Sequence, residues 1–280
     1  MRALEAEAVV MEAPGRLSLR TLPLDPPDTD DIVVDTLFSG ISTGTEKLLY
    51  DGAMPPFPGM GYPLVPGYET IGRVSQGGGG LKEGDIVFVP GARCYGPVRG
   101  LFGGAASRIV LPAARAMKAD PGLGAQGVLL SLAATAHHAL YDRGALALPD
   151  LVIGHGVLGR LIARLAVALG GAPVVHETDP ARRGGALGYT VSDPAADEAR
   201  YDRVLDASGA PGTLDRAIAR LSKGGEVVLA GFYDAPLSFV FPPAFMVEAR
   251  IRIAAEFKPD DAAAVAGLVA ERRLSFDGLI

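Results

Sequence analysis

The chain has 280 residues, room for two domains of ordinary size, and is 49% hydrophobic and 21% charged with no long block of one sign. A net charge of -6 argues against a nucleic-acid partner, which would ask for a basic face. Cys94 is the single cysteine, so an intrachain disulfide and a zinc site built on several thiolates are both excluded.

The N-terminus carries Glu5, Glu7 and Glu12 and lacks the apolar core of a secretory signal. The most apolar helical stretch, 157–169, is interrupted by Arg160 and Arg164 and is too short to span a bilayer. A soluble, cytoplasmic protein with no transmembrane segment is expected. Up to about Asp120 the chain reads as short strands at 8–11, 17–19, 31–38, 70–75, 85–90 and 106–111. Proline- and glycine-rich turns punctuate them, a spacing that predicts a partly closed β-barrel. After Pro121 the pattern changes. Helices are predicted over 126–142, 157–169 and 259–273, and strands at 151–153, 174–177, 203–206 and 226–230. Strand alternating with helix predicts an α/β parallel sheet covered on both faces. The boundary is placed at Asp120-Pro121-Gly122, giving domains of 1–121 and 122–280.

The segment Gly154-His155-Gly156-Val157-Leu158-Gly159 sits between the strand Leu151-Val152-Ile153 and an amphipathic helix. In that setting the three glycines have separate tasks. Gly154 permits the tight turn, Gly156 lets the backbone approach a pyrophosphate, and Gly159 lets helix and strand pack closely. The helix N-terminus then offers N–H groups to the anion. The next strand ends in Glu177, about 20 residues on, where a carboxylate accepts the ribose hydroxyls of an adenosine and repels a 2′-phosphate. NAD is therefore expected ahead of NADP, although Arg182 and Arg183 follow closely and could hold such a phosphate. Ser208 and Gly231 end later strands and are expected beside the nicotinamide. His155, inside the turn, is expected to contact the cofactor.

Several other stretches resemble the medium-chain dehydrogenase/reductase superfamily. They are Phe38 through Glu46, Pro66-Gly67-Tyr68-Glu69, Glu83-Gly84-Asp85-Ile86-Val87, and Ala134-Thr135-Ala136-His137-His138-Ala139-Leu140. The resemblance covers nearly the whole chain. It implies a β-rich GroES-like catalytic domain followed by a Rossmann nucleotide-binding domain, and it implies a homodimer. The runs 39–69, 87–95, 100–108, 207–212 and 241–246 resemble more narrowly a dehydrogenase family of bacteriochlorophyll biosynthesis. That family oxidises the 3-(1-hydroxyethyl) side chain of a chlorophyllide or bacteriochlorophyllide to 3-acetyl, so a tetrapyrrole substrate is implied. The superfamily continues past this point into a segment that returns to the catalytic domain, and this chain ends at Asp277-Gly278-Leu279-Ile280 where that return would begin.

Where zinc-dependent members of the superfamily place a Cys and a His on catalytic zinc, this chain has Ser42 and Tyr68. A hydroxyl and a phenol are poor zinc ligands and Glu69 alone is not a site, so no zinc is expected. The resemblance turns Ser42 and Tyr68 toward the substrate, to bind the carbinol oxygen, with Thr43 or Glu69 orienting them. His137 is the expected relay base, since its intrinsic pKa suits neutral pH. Tyr50, Met54, Phe57, Met60 and Tyr62 form an apolar, proline-stiffened loop suited either to one wall of a flat macrocycle or to ordinary packing. Phe241, Pro242, Pro243 and Phe245 suggest a second wall or a subunit interface. Two other readings are carried forward: a zinc-free quinone or enone reductase using NADPH, and a catalytically silent NAD(P)-binding sensor.

Overall fold

The computed structural model describes residues 4–233 and 236–280. The chain divides into two compact units, Met1–Ser131 and Leu132–Ile280. No helix among the described residues is long and apolar enough to cross a membrane.

Unit 1 is a β structure. Its strands are β1 (Glu5–Ala13), β2 (Arg16–Pro23), β3 (Asp31–Ser39), β4 (Leu64–Val65), β5 (Thr70–Gln76), β6 (Ile86–Val89), β7 (Arg99–Gly100), β8 (Arg108–Pro112) and β9 (Met117–Lys118). They form two sheets, of order β2-β1-β4-β7 and β8-β3-β5-β6-β9. In β1 the alternation is clean: Ala6, Ala8 and Val10 point inward while Glu5, Glu7 and Val9 point out, the two-residue period of a half-buried strand. These residues join Ile32, Val34, Val87, Val89 and Ile109 in one core. A short helix, α1 (Thr45–Asp51), follows β3 and ends on Gly52, whose φ of 70° closes it in the left-handed region.

Unit 2 carries a six-stranded parallel sheet built from β12 (Leu151–Ile153), β13 (Val174–His176), β14 (Thr190–Ser192), β15 (Tyr201–Asp206), β16 (Leu221–Leu229) and β17 (Arg250–Ile253). A small antiparallel pair, β10 (Tyr141–Asp142) and β11 (Ala145–Leu146), precedes it. The order β14-β13-β12-β15-β16-β17 reverses direction at β12, the strand-order switch of a dinucleotide-type Rossmann sheet. The helices are α2 (Leu130–Ala139), α3 (Val157–Ala168), α4 (Thr213–Ala219), α5 (Phe241–Met246) and α6 (Pro259–Ala270). Leu161, Ile162, Leu165 and Ala166 bury one stripe of α3. Truncating Ile162 to Ala would cost about 2–5 kcal/mol through lost burial and the cavity left behind.

The helix expected over 126–142 differs in the structure. Residues Pro121–Leu129 form tight 3-10 turns, and Gly124 leaves helical geometry altogether at φ 50° and ψ -129°. Three glycines in this stretch make a regular helix costly. At its other end α2 stops at Ala139, because Tyr141 and Asp142 pair with Leu146 and Ala145 across an Arg143-Gly144 turn. Several elements were absent from the sequence-based expectation. The short strands β4 and β7 and the helices α1 and α4 have too few residues to display a period. The edge strand β17 is largely exposed, so it carries no buried run.

Candidate active site

The glycine turn follows directly from local geometry. Gly154 adopts φ 97°, a region that disfavours any side chain. A Cβ on Gly159 would run into the Gly154 carbonyl oxygen, so helix α3 lies against the turn only because Gly159 has none. Gly156 is different. Its φ is -73° and a Cβ there would meet no protein atom within 4 Å. No internal contact therefore asks for glycine at 156, whereas a ligand approaching the backbone would. Gly156 is also the N-cap of α3 and supplies no side-chain cap. The first intrahelical bond runs from Arg160 N–H to the Gly156 carbonyl. The N–H groups of Val157, Leu158 and Gly159 thus stand before the ladder begins, a fit for a pyrophosphate.

Glu177 stands at the end of β13 and its carboxylate is tied to this turn. One oxygen accepts the His155 N–H at 3.0 Å and the other accepts the Asp179 N–H at 2.9 Å. Of the two arginines, Arg183 is spent: Nε donates to the Glu177 carbonyl and Nη2 to the Thr178 carbonyl and to Asp193. Arg182 is exposed, with Nε 3.5 Å from Asp179. The His155 side chain is buried between the Arg182 carbonyl and the Tyr189 hydroxyl. Both ring nitrogens hold protein, so any contact of His155 with a cofactor falls to its backbone in the glycine turn.

Ser208 and Gly231 lie at the carboxyl ends of β15 and β16. Asp206, fully buried, accepts the Ser208 N–H and Oγ–H on one oxygen and the Tyr233 O–H on the other. The Tyr233 phenol is pushed up by burial and by that carboxylate, so it remains a donor. Gly154 packs closely on Ser208, where an added Cβ would sit 3.1 Å from the Ser208 Cα. The turn and the β15 end are thus in register at the switch point, where such sheets bind ligands.

In unit 1, β3, α1 and the start of β5 bring Ser42, Thr45, Glu46, Tyr68 and Glu69 into one cluster. The Ser42 hydroxyl caps the entry to α1, accepting from Gly44 and Thr45 N–H at 3.3 Å each. The Ser42 N–H donates to Glu46 at 3.0 Å. The Tyr68 hydroxyl donates to Thr45 Oγ1 at 3.3 Å, and its ring stands edge-on to Phe102 at 5.3 Å. Thr45, two residues beyond the expected Thr43, is the residue that holds Tyr68; Thr43 is exposed. The Glu69 carboxylate packs against Gly40, where a Cβ would collide with it.

Glu46 was not singled out from the sequence, yet it is as buried as Glu69: 5% and 6% exposed. Burial pushes the Glu46 carboxyl up to about 7, and burial followed by the charge of Glu46 pushes Glu69 up to about 7. Burial, followed by the charge of Glu46, pushes Tyr68 up to about 12. At neutral pH the phenol is therefore a hydrogen-bond donor, and the carboxyl pair is poised to exchange a proton.

The remaining expected residues separate. His137 Nδ1 lies 2.8 Å from one Asp261 oxygen and His138 Nδ1 2.9 Å from the other. Asp261 also takes the Lys258 N–H at the start of α6. One carboxylate thus fastens α6 to α2 through two imidazoles. Met54 is core, packed with Met11, Leu49, Leu64 and Leu101, and Met60 and Tyr62 lean on that core. The Tyr62 hydroxyl donates to the Leu49 carbonyl. Of the loop residues expected to face a substrate, Tyr50 and Phe57 alone are exposed. Among the described residues no group of three or more His, Cys, Asp or Glu is placed to hold a metal.

No family model matches the chain. It is 56% identical to the 2-desacetyl-2-hydroxyethyl bacteriochlorophyllide A dehydrogenase of Rhodobacter capsulatus, over 99% of this chain and 90% of that one. The chain belongs to this dehydrogenase family. The fold is that of the medium-chain dehydrogenase/reductase superfamily, as solved structures agree. Acetophenone reductase from Geotrichum candidum in complex with NAD superposes with a TM-score of 0.81 at 21% identity, covering 98% of this chain and 89% of that one. A putative zinc-binding dehydrogenase from Sinorhizobium meliloti bound to NADP gives 0.79 at 22% identity, covering 97% and 90%. The protein is an oxidoreductase of the alcohol dehydrogenase kind. The two solved neighbours hold different nicotinamide cofactors, so the choice between them falls to this chain's own residues.

Proposed function

We propose that this protein oxidises the 3-(1-hydroxyethyl) side chain of a bacteriochlorophyllide to 3-acetyl with NAD, and without zinc. The observation that carries the reading is the 56% identity, along 99% of the chain, to a dehydrogenase named for that class of substrate. The preference for NAD rests on charge. The Glu177 carboxylate at the end of β13 is tied to the turn through the His155 N–H, Arg183 is already engaged by Asp193 and two carbonyls, and Arg182 has Asp179 beside it. A 2′-phosphate would meet that carboxylate with no free buried cation to offset it.

The zinc-free reading rests on donor chemistry. Ser42 and Tyr68 offer a hydroxyl and a phenol, and the nearby carboxylates are occupied by backbone N–H groups or packed on Gly40. Bound NAD supplies the acceptor for the hydride that leaves the carbinol carbon. Tyr68 donates a hydrogen bond to the carbinol oxygen and then to the carbonyl oxygen that replaces it. The hydroxyl proton leaves through Ser42 or Thr45 toward the Glu46–Glu69 pair, which can hold it near neutral pH. This pair replaces His137 as the proposed acceptor, because it belongs to the same cluster as Tyr68 while His137 is fastened to Asp261. Tyr50 and Phe57 remain as the proposed contacts to the macrocycle face. The exposed α5 side chains Phe241, Phe245 and Met246, beside the edge strand β17, fit a face covered by a second copy of the chain. The proposed organisation is a substrate-binding first domain, 1–121, and a cofactor-binding second, 122–280. An absorbance assay with hydroxyethyl bacteriochlorophyllide and NAD tests the activity: conversion to the 3-acetyl macrocycle supports it, and reduction of a quinone or enone by NADPH instead would overturn it.

A further inference from the structure

His155 is 1% exposed, and both its ring nitrogens are held. Nδ1 lies 2.6 Å from the Arg182 carbonyl oxygen and Nε2 lies 2.8 Å from the Tyr189 hydroxyl. A carbonyl only accepts, so Nδ1 carries the hydrogen; Nε2 then accepts from the phenol and the ring is neutral. Tyr189 also stands edge-on to the ring at 5.6 Å. Arg160 on α3 joins the same seam. Its Nε donates to the His155 carbonyl at 3.0 Å, and Nη2 donates to the carbonyls of Arg182 and Gly184 at 3.2 and 2.9 Å. The segment 182–189 is therefore bound to the glycine turn by one imidazole and one guanidinium. Since the His155 N–H also binds the Glu177 carboxylate, His155 joins three pieces: the pyrophosphate turn, the ribose carboxylate, and the segment that follows it.

We propose that His155 is a positioning residue for the dinucleotide, a neutral imidazole latch that holds 182–189 against the glycine turn and opens when the ring takes up a proton. The proposal rests on the dinucleotide reading of the turn. A proton on Nε2 turns that nitrogen from acceptor to donor, so the Tyr189 hydroxyl must reverse its bond, and it sets a third cation beside Arg160 and Arg164, with Glu177 as the one facing carboxylate. Burial first, and then the two arginines, hold His155 below the usual histidine range; the Arg182 carbonyl and Glu177 act the other way. A histidine shifted in this direction keeps its latch intact above the ordinary value near 6.5 and loses it as pH falls through the folded value.

Calorimetric titration of the full chain with NAD, at about pH 8 and about pH 5.5, tests this with two variants. At the higher pH, His155→Ala should bind NAD about tenfold more weakly, and its KM for NAD should rise more than kcat falls. His155→Asn, whose amide can donate to the Arg182 carbonyl from the place of Nδ1, should recover most of the affinity. Wild type should weaken at the lower pH and His155→Asn should not. Equal binding by wild type and His155→Ala, or the same acid loss in His155→Asn, would overturn the latch. Failure of wild type to bind NAD or NADP at either pH would overturn the dinucleotide reading itself, and the latch with it.

Discussion

The glycine turn of unit 2 and the hydroxyl–carboxyl cluster of unit 1 achieve their chemistry by opposite means. The turn works by absence: side chains are missing at 154, 156 and 159, and the proposed binding falls to the backbone N–H groups at the start of α3. The cluster works by presence: five polar side chains are packed together, two of them buried carboxyls held near neutral pKa. The first is cheap in stability. The second costs stability, because burying carboxyls without a cation opposes folding once they ionise.

Substitutions can break this contrast. The largest effect is expected from Gly159→Val, where the new side chain has no room against Gly154. It should cost unit 2 about 3 kcal/mol or more, with cofactor affinity falling about a hundredfold; thermal melting and NAD titration would read both losses. Tyr68→Phe should lower kcat about a hundredfold while leaving NAD binding unchanged, since it removes one donor from the oxygen that changes charge. A kcat left intact would take Tyr68 out of the mechanism. Gly156→Ala should separate fold from ligand: melting unchanged, because no protein atom lies within 4 Å of the added Cβ, and NAD affinity about tenfold lower. An unchanged affinity would mean that 156 does not lie against the pyrophosphate.

The smallest effect concerns the cost of the cluster. Glu46 and Glu69 keep their protons up to about 7 in the folded protein, against an ordinary value of 4.5. Folding thus takes up protons between those values. The stability tied to the neutral forms is complete below the ordinary value and lost as pH rises through 7. Glu46→Gln should therefore raise stability above pH 7 by about 1–3 kcal/mol, flatten the pH dependence of melting, and lower turnover. A destabilised Glu46→Gln at high pH would show that the Ser42 N–H bond outweighs the burial cost.

The same contrast explains what could be read from the sequence. Gly154 and Gly159 have local reasons to be there, Gly156 answers to an approaching ligand, and the strand before the turn and helix after it announce themselves by period. The β-rich first unit and the parallel sheet were legible for similar reasons of alternation. The cluster was legible only in part. Ser42, Tyr68 and Glu69 stood out because of what the family places there, but Glu46 became notable only once tertiary packing buried it. Thr43 and Thr45 are equivalent by residue type, and the start of α1 decides which one faces Tyr68. The His155 seam joins residues 27 and 34 positions apart, a distance over which no local pattern carries information. By composition Met54 and Tyr62 fitted a binding wall and ordinary packing equally, and the structure makes them core and its rim, a distinction that only burial can make.

The central claim is tested most directly by parallel assays of the purified chain, treated with chelator, on hydroxyethyl bacteriochlorophyllide with NAD and with NADP. The account predicts 3-acetyl product with NAD, a much slower reaction with NADP, and no loss after chelation. Turnover that prefers NADP, or that disappears with the chelator and returns with zinc, would contradict it.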